Sequence, residues 1–453
     1  MYLGGNRLLK SSDRGDHFYP ISPDLSIKDS TRIIVSTRTT GGITRDNSGA
    51  ETHGTITTVA ESPIRPGILW VGTDDGNVWL STNDGGAWTD ITTHFPGVPK
   101  HTWVSRVEPS HFDTATVYVT FDNHRENDFK PYVCVSTDFG KTFRSIVNNL
   151  PSGGVDFVHV LREDPANREL LYLGTDVGTY VSTDRGATWQ RFMTGLPTVP
   201  VHDLKIHPRD RELIAATHGR SIWIVDVAPL EEMNTGVMAR TANFFTPKTA
   251  YEYSVGNTQN FPGQKNFIAP NPPYGAELVY RLTSGSPRDS ARIVVTNIRG
   301  DTVRTLNGAG GPGVHRAYWD LRGRPRPLGP AALRDSINAA RVRRAREDSV
   351  RAARADTTGG AEAGPRRGGR GGAQVENLRP AEAPTLGPAV GGGGGEGGGF
   401  FGGGRVGNLV DPGDYAVTII AGGQTLRQIV HVERVSDIIN FDFGPDSNDG
   451  EDP

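Results

Sequence analysis

The chain has 453 residues, with 48 Lys and Arg against 51 Asp and Glu and a formal net charge of −3. That length admits two or three domains, and a near-neutral balance excludes an overall nucleic-acid or membrane-surface binder. Gly 58 and Pro 31 fit a turn-rich all-β protein with added low-complexity sequence, the lone Cys134 excludes a disulfide within the chain, and no run of about 18 apolar residues predicts a transmembrane helix.

The start, Met1-Tyr2-Leu3-Gly4-Gly5, lacks the basic region and apolar core of a signal peptide. Tyr2 to Ser11 aligns with Tyr172 to Ser182, so the chain is expected to begin on the second strand of a repeat, as an N-terminally truncated piece whose missing blades would be partners. The repeat is marked by a turn of the form Ser-x-Asp-x-Gly-x-x-aromatic. It occurs at Ser11–Phe18, Ser81–Trp88, Ser136–Phe143 and Ser182–Trp189, at spacings of about 45 to 70 residues, the signature of a propeller or array. The Asp or Asn accepts hydrogen bonds from backbone amides further along the turn, the Gly supplies positive φ, and the aromatic residue buries an apolar face. Asn83 replaces Asp in the second box and keeps the acceptor without the charge. These boxes are therefore hairpin chemistry, and neither a metal nor a cofactor is expected.

Around the boxes the chain reads as four-stranded blades. Inner strands begin at Ile56, Val104, Val158 and Val201; second strands begin at Ile68, Val117, Leu170 and Leu213. A fifth unit, about 201 to 228, has no box and reads as a terminal blade. The stretch from Ile21 to Gly54 matches no strand and is a long excursion. The predicted fold class is all-β, a partial β-propeller of about five blades over 1–230. A linker is expected over 231–270. An immunoglobulin-like β-sandwich should follow over 271–436, interrupted by a disordered insertion over 322–407, with an acidic tail over 437–453. The insertion holds fifteen Arg against eight acidic residues, with a possible polar helix over Pro330 to Ala355. Its near-absence of aromatic residues argues against stacking nucleic-acid bases, so no specific nucleic acid is expected.

In such a blade the box turn lies on one rim, and the turn from second to third strand lies on the other. The second rim holds Asp74 and Asp75, Asp122 with His124 and Arg125, Asp176, and His218 with Arg220. Carboxylates beside imidazoles and guanidiniums suit a peptide or glycan ligand, and paired carboxylates would suit glycoside hydrolysis. Asp74, Asp122 and Asp176 are the catalytic candidates, with Asp74 and Asp176 as one facing pair. Asp75, His124, Arg125, His218 and Arg220 are the ligand-binding candidates. Asp is also a default turn residue, so each has a purely structural alternative.

The four boxes, Thr55–Pro63, Gly72-Thr73-Asp74-Asp75-Gly76, Tyr132–Gly140, His159–Pro165 and Ala216–Asp226 together resemble the bacterial Asp-box (BNR) repeat proteins with a sortilin-type propeller, often called glycosyl hydrolases. The likeness covers about residues 1 to 230. Asn271–Ala276 and the pattern Asp301…Trp319-Asp320…Pro412-Gly413-Asp414-Tyr415 look like the immunoglobulin-like domain of flagellar-hook-capping and secretion-sorting proteins. The resemblance implies an exported protein, extracellular or periplasmic. It also implies carbohydrate activity by name only, since the boxes are not a catalytic motif. A sialidase would need an arginine triad and a Tyr–Glu pair; its Arg-Ile-Pro start motif is absent here. The expected function is a non-catalytic scaffold that binds a peptide or glycan at the propeller mouth, with a sialidase- or xyloglucanase-like glycoside hydrolase as the alternative.

Overall fold

The computed structural model describes residues 1–33, 53–253, 272–324 and 407–435, with the isolated positions 338 and 341. It divides into two units, Met1–Arg240 and Thr241–Pro453. The fold is all-β, a run of propeller blades followed by a β-sandwich. The expected disordered insertion, its polar helix and the acidic tail lie outside the described residues.

The first unit consists of five consecutive antiparallel sheets. Blade I holds β1 (Tyr2–Gly4), β2 (Leu8–Lys10) and β3 (Tyr19–Pro20). Blade II holds β4 (Ile56–Glu61), β5 (Leu69–Thr73), β6 (Val78–Ser81) and β7 (Thr89–Asp90). Blade III holds β8 (Trp103–Pro109), β9 (Val117–Asp122), β10 (Tyr132–Ser136) and β11 (Arg144–Ser145). Blade IV holds β12 (Val158–Glu163), β13 (Leu171–Thr175), β14 (Gly178–Ser182) and β15 (Gln190–Arg191), and blade V ends with β16 (Val201–His207), β17 (Glu212–Thr217) and β18 (Ile222–Asp226).

Each box closes the hairpin from third to fourth strand, or from β2 to β3 in blade I, with one repeated network. The Gly85, Gly140 and Gly186 amides donate to Ser81, Ser136 and Ser182, while the amides of Ala87, Thr142 and Thr188 donate to Asn83, Asp138 and Asp184. Two successive residues in each box have positive φ, as in Phe139 (60°) and Gly140 (73°), the backbone twist that suits a tight hairpin.

The core lies between blades rather than within one. Leu69 and Val71 of blade II pack with Leu8 and Leu25, and Trp70 and Leu80 pack instead with Val104 and Val107 of blade III. Tyr118, Val133 and Val135 pack against Leu161 and Leu171; Tyr172 and Val181 pack against Leu204 and Leu213. Successive side chains of a strand point to opposite faces, so blades II to IV bury apolar side chains on both sides. Gly72 allows the closest approach: a Cβ there would stand 2.3 Å from Val104 Cγ1 of the next inner strand. Cys134 belongs to this core, with its thiol pKa pushed up to about 12 by burial.

The second unit is a sandwich of two sheets. One contains β19 (Ala242–Phe244), β21 (Ala276–Leu282) and β24 (Gly313–Trp319). The other contains β20 (Ala250–Glu252), β22 (Ser290–Thr296), β23 (Thr302–Ala309), β25 (Gly413–Ala421) and β26 (Gln424–Arg434). Leu278, Tyr280 and Trp319 of the first face Ile293, Val417 and Val430 of the second in a shared core. The segment 231–270, expected to be a linker, is corrected in part. Ala242–Phe244 pairs antiparallel with β21, and Ala250–Glu252 pairs parallel with β26. Each run is only three residues, too short for a period to register, yet Phe244 and Phe245 are almost wholly buried.

Candidate functional site

The four complete inner strands share an irregularity. Each skips one residue in its pairing with the second strand: Thr57 in β4, Ser105 in β8, His159 in β12 and His202 in β16. A β-bulge of this kind re-aims the side chain of the extra residue. In blades II and III the re-aimed group is a hydroxyl that latches the next blade, Thr57 onto the Val104 carbonyl at 2.7 Å and Ser105 onto the Val158 carbonyl at 2.9 Å. In blades IV and V it is an imidazole. The rings of His159 and His202 stack at 4.3 Å and 17°, and His218 follows at 5.2 Å.

These residues border a cavity of about 250 Å³ lined by Trp103, Ser105, Asp122, His124, Arg125, His159 and His202. It lies at the rim opposite the boxes, where β9 ends and β8, β12 and β16 begin. The Asp122 carboxylate is nearly buried. Its Oδ1 accepts the His124 backbone amide at 3.0 Å and pairs with the His124 ring at 2.6 Å. That hydrogen bond raises the His124 pKa above its ordinary value. His159 stands between two carboxylates, with Nδ1 3.8 Å from Asp122 Oδ2 and Nε2 3.3 Å from Asp176 Oδ1. His202 is shifted the other way, first by burial and then by the neighbouring His159 and His218. Phe157 stacks on His124 at 4.7 Å, and the Arg125 guanidinium lies 4.0 Å over the Trp103 ring.

One to three residues further along the same strands, an ionic layer spans blades III to V. Asp203 Oδ1 accepts from Arg106 at 2.8 Å and from Arg162 at 2.9 Å, and Arg162 also pairs with Glu108 at 2.7 Å. Arg162 Nε donates to the Leu204 carbonyl. This layer fixes the inner strands in register under the mouth, the support that a precise site needs.

The residues singled out in the sequence divide into two groups. Asp122, Asp176, His124, Arg125 and His218 gather at this mouth. Asp74 and Asp75 do not join them. Asp74 Oδ1 accepts the Gly54 and Thr55 amides at 2.9 and 2.7 Å, with His53 3.9 Å from its other oxygen. Asp75 accepts the Ile27 amide and the Thr73 hydroxyl. Both carboxylates anchor the excursion that precedes β4, and no contact links Asp74 to Asp176 among the described residues. Burial pushes the Asp74 pKa up to about 6. Arg220 is exposed, and its carbonyl accepts the Trp223 indole N–H.

Sequence reasoning missed Trp103, Ser105, Phe157, His159 and His202. The signal was present in the aligned inner strands, where the second position reads Thr57, Ser105, His159, His202 beside a constant apolar neighbour. No group of three or more His, Cys, Asp or Glu among the described residues is placed to hold a metal ion, and none of their helices is long and apolar enough to cross a membrane.

No family model and no curated protein matches the chain. Solved structures do. A GH74 xyloglucanase from Xanthomonas campestris aligns at 20% identity and a TM-score of 0.38, over 50% of this chain and 34% of its own. An ancestral GH74 enzyme aligns at 14% identity and 0.35, over 68% and 36%. YCF48 bound to D1 peptide aligns at 12% and 0.27, over 38% and 55%. The chain thus spans about a third of the length of the two GH74 structures, and at these scores no residue's role transfers from any of the three.

Proposed function

We propose that the propeller unit is a non-catalytic glycan-binding module, with its site at the mouth formed by blades III to V. The observation that carries this reading is the row of bulges that turns Ser105, His159 and His202 into one cavity. Bulges persist next to functional sites because they aim side chains that regular pairing would point elsewhere. The cavity has no aliphatic lining residue. Flat rings, carboxylates and nitrogen donors suit hydroxyl-rich sugars better than the apolar side chains of a peptide. The resemblance to exported Asp-box proteins supports an extracellular or periplasmic setting, and the sandwich, of immunoglobulin-like type on the same resemblance, would serve attachment.

The test is a panel of neutral and acidic oligosaccharides titrated against the full chain and the double variant His159→Ser, His202→Ser. The parent should bind at least one of them, with affinity lost about tenfold or more in the variant and thermal stability kept. Equal affinity in the two proteins would remove the mouth as the site. One feature favours a second reading, hydrolysis: the Asp122 and Asp176 carboxylates flank a single imidazole, an arrangement that could move a proton. Release of new reducing ends that stops in Asp176→Asn would establish it over the non-catalytic reading.

A further inference from the structure

The hydrogen-bond partners at the mouth are unevenly met. Its carboxylates are engaged: Asp122 holds the His124 ring and amide, and Asp176 meets His159. Its donors are not. Arg125 follows β9 in the short turn His124–Glu126. Its exposed guanidinium lies over Trp103, with the central carbon 4.0 Å from the ring centroid, and among the described residues it has no carboxylate within 4.0 Å and no hydrogen-bond acceptor. The two arginines on the inner strands β8 and β12, Arg106 and Arg162, are both committed to Asp203. His202 is held between the rings of His159 and His218, and its ring nitrogens have no partner among the described residues.

We infer that the ligand of this mouth carries a carboxylate, as a uronic-acid unit of a glycan does, with Arg125 as its anchor and His202 as a second donor. The inference rests on the glycan reading above and deepens it. A guanidinium held over an indole has given up part of its rotamer freedom before binding and still offers the N–H groups of its planar fork. That fork matches the two coplanar oxygens of a carboxylate through parallel hydrogen bonds. Neutral sugar hydroxyls would leave the guanidinium without a counter-charge. A carboxylate supplies that charge and the acceptors that Arg125 and His202 lack, while the ring hydroxyls of the same unit donate to the remaining oxygens of Asp122 and Asp176. A cavity of about 250 Å³, small beside the several hundred Å³ of typical ligand pockets, suits one sugar unit.

The experiment titrates the full chain with trigalacturonate, its methyl ester and galactotriose. Trigalacturonate should bind about tenfold more tightly than its ester, with an affinity that falls as salt rises. In Arg125→Gln that ratio should approach one and the salt dependence should flatten, chiefly because the acid binds less tightly. Arg125→Lys, which keeps the charge and loses the fork, should fall between. Acid and ester binding alike in the parent, or a ratio that survives in Arg125→Gln, overturns the carboxylate assignment and leaves the glycan reading in place. Failure of all three probes counts against the glycan reading itself and takes this inference with it.

Discussion

At the scale of single residues, the carboxylates divide by what burial does to them. Asp74 and Asp164 are nearly inaccessible, and burial pushes both up to about 6 despite the backbone amides that each accepts. The folded state therefore binds more protons than the unfolded chain between about pH 4 and 6, and stability falls as pH rises through that window. Asp13 and Asp138 act in the opposite sense and lower down, held to about 2 by the hydrogen bonds of their boxes; their contribution is present above about pH 4 and lost as pH falls toward 2. Asp74→Asn keeps Oδ1 as acceptor for the Gly54 and Thr55 amides and removes the buried charge. Urea midpoints measured from pH 4 to 7 should fall less steeply in this variant, with a gain on the order of 1–3 kcal/mol at pH 7. An unchanged slope would mean that Asp74 stays ionised without penalty.

At the scale of elements, what the sequence displays depends on how local the feature is. A box is eight consecutive residues whose bonds close on themselves, Ser182 with Asp184 and Asp184 with Thr188, so residue order alone reveals it. The strands follow, because the boxes and the Gly-Thr-Asp turns bracket them. A bulge has no such signature: His159 is the extra residue only with respect to β13. Its trace in the sequence is the aligned position that reads Thr57, Ser105, His159 and His202 through the inner strands. Asp74 and Asp176 occupy the same Gly-Thr-Asp turn in different blades and have opposite surroundings, because the preceding excursion covers one and His159 meets the other. Local sequence cannot separate them. The bulge also makes a prediction. His159→Ser restores the hydroxyl used in blade III and should leave stability within about 1 kcal/mol of the parent. Deletion of His159 would leave Val158, Val160 and Leu161 alternating between the faces they already occupy, so the strand should pair regularly and the urea midpoint should survive while the mouth loses its imidazole. A collapsed midpoint would show that the extra residue is needed for the strand to pair at all.

At the scale of the whole propeller unit, one position repeated through the blades decides how stability is distributed. Trp70, Tyr118, Tyr172 and Ile214 are equivalent, each paired across its hairpin with Leu80, Val135, Val181 and Ile224 respectively. In blades II to IV this pair is covered by the blade that follows. In blade V it is not: Val181 is 7% exposed and Ile224 61%. Identical register therefore carries opposite energetics, because the hydrophobic contribution comes from the neighbouring sheet and not from the strand itself. Tyr172→Ala should open a cavity between blades IV and V and cost about 3–5 kcal/mol. Ile224→Thr, at the matching place one blade on, should change stability by no more than about 0.5 kcal/mol. Urea denaturation of the two variants beside the parent decides the point. Comparable losses would mean that blade V draws stability from that face, and that stacking of consecutive blades alone does not account for the unit.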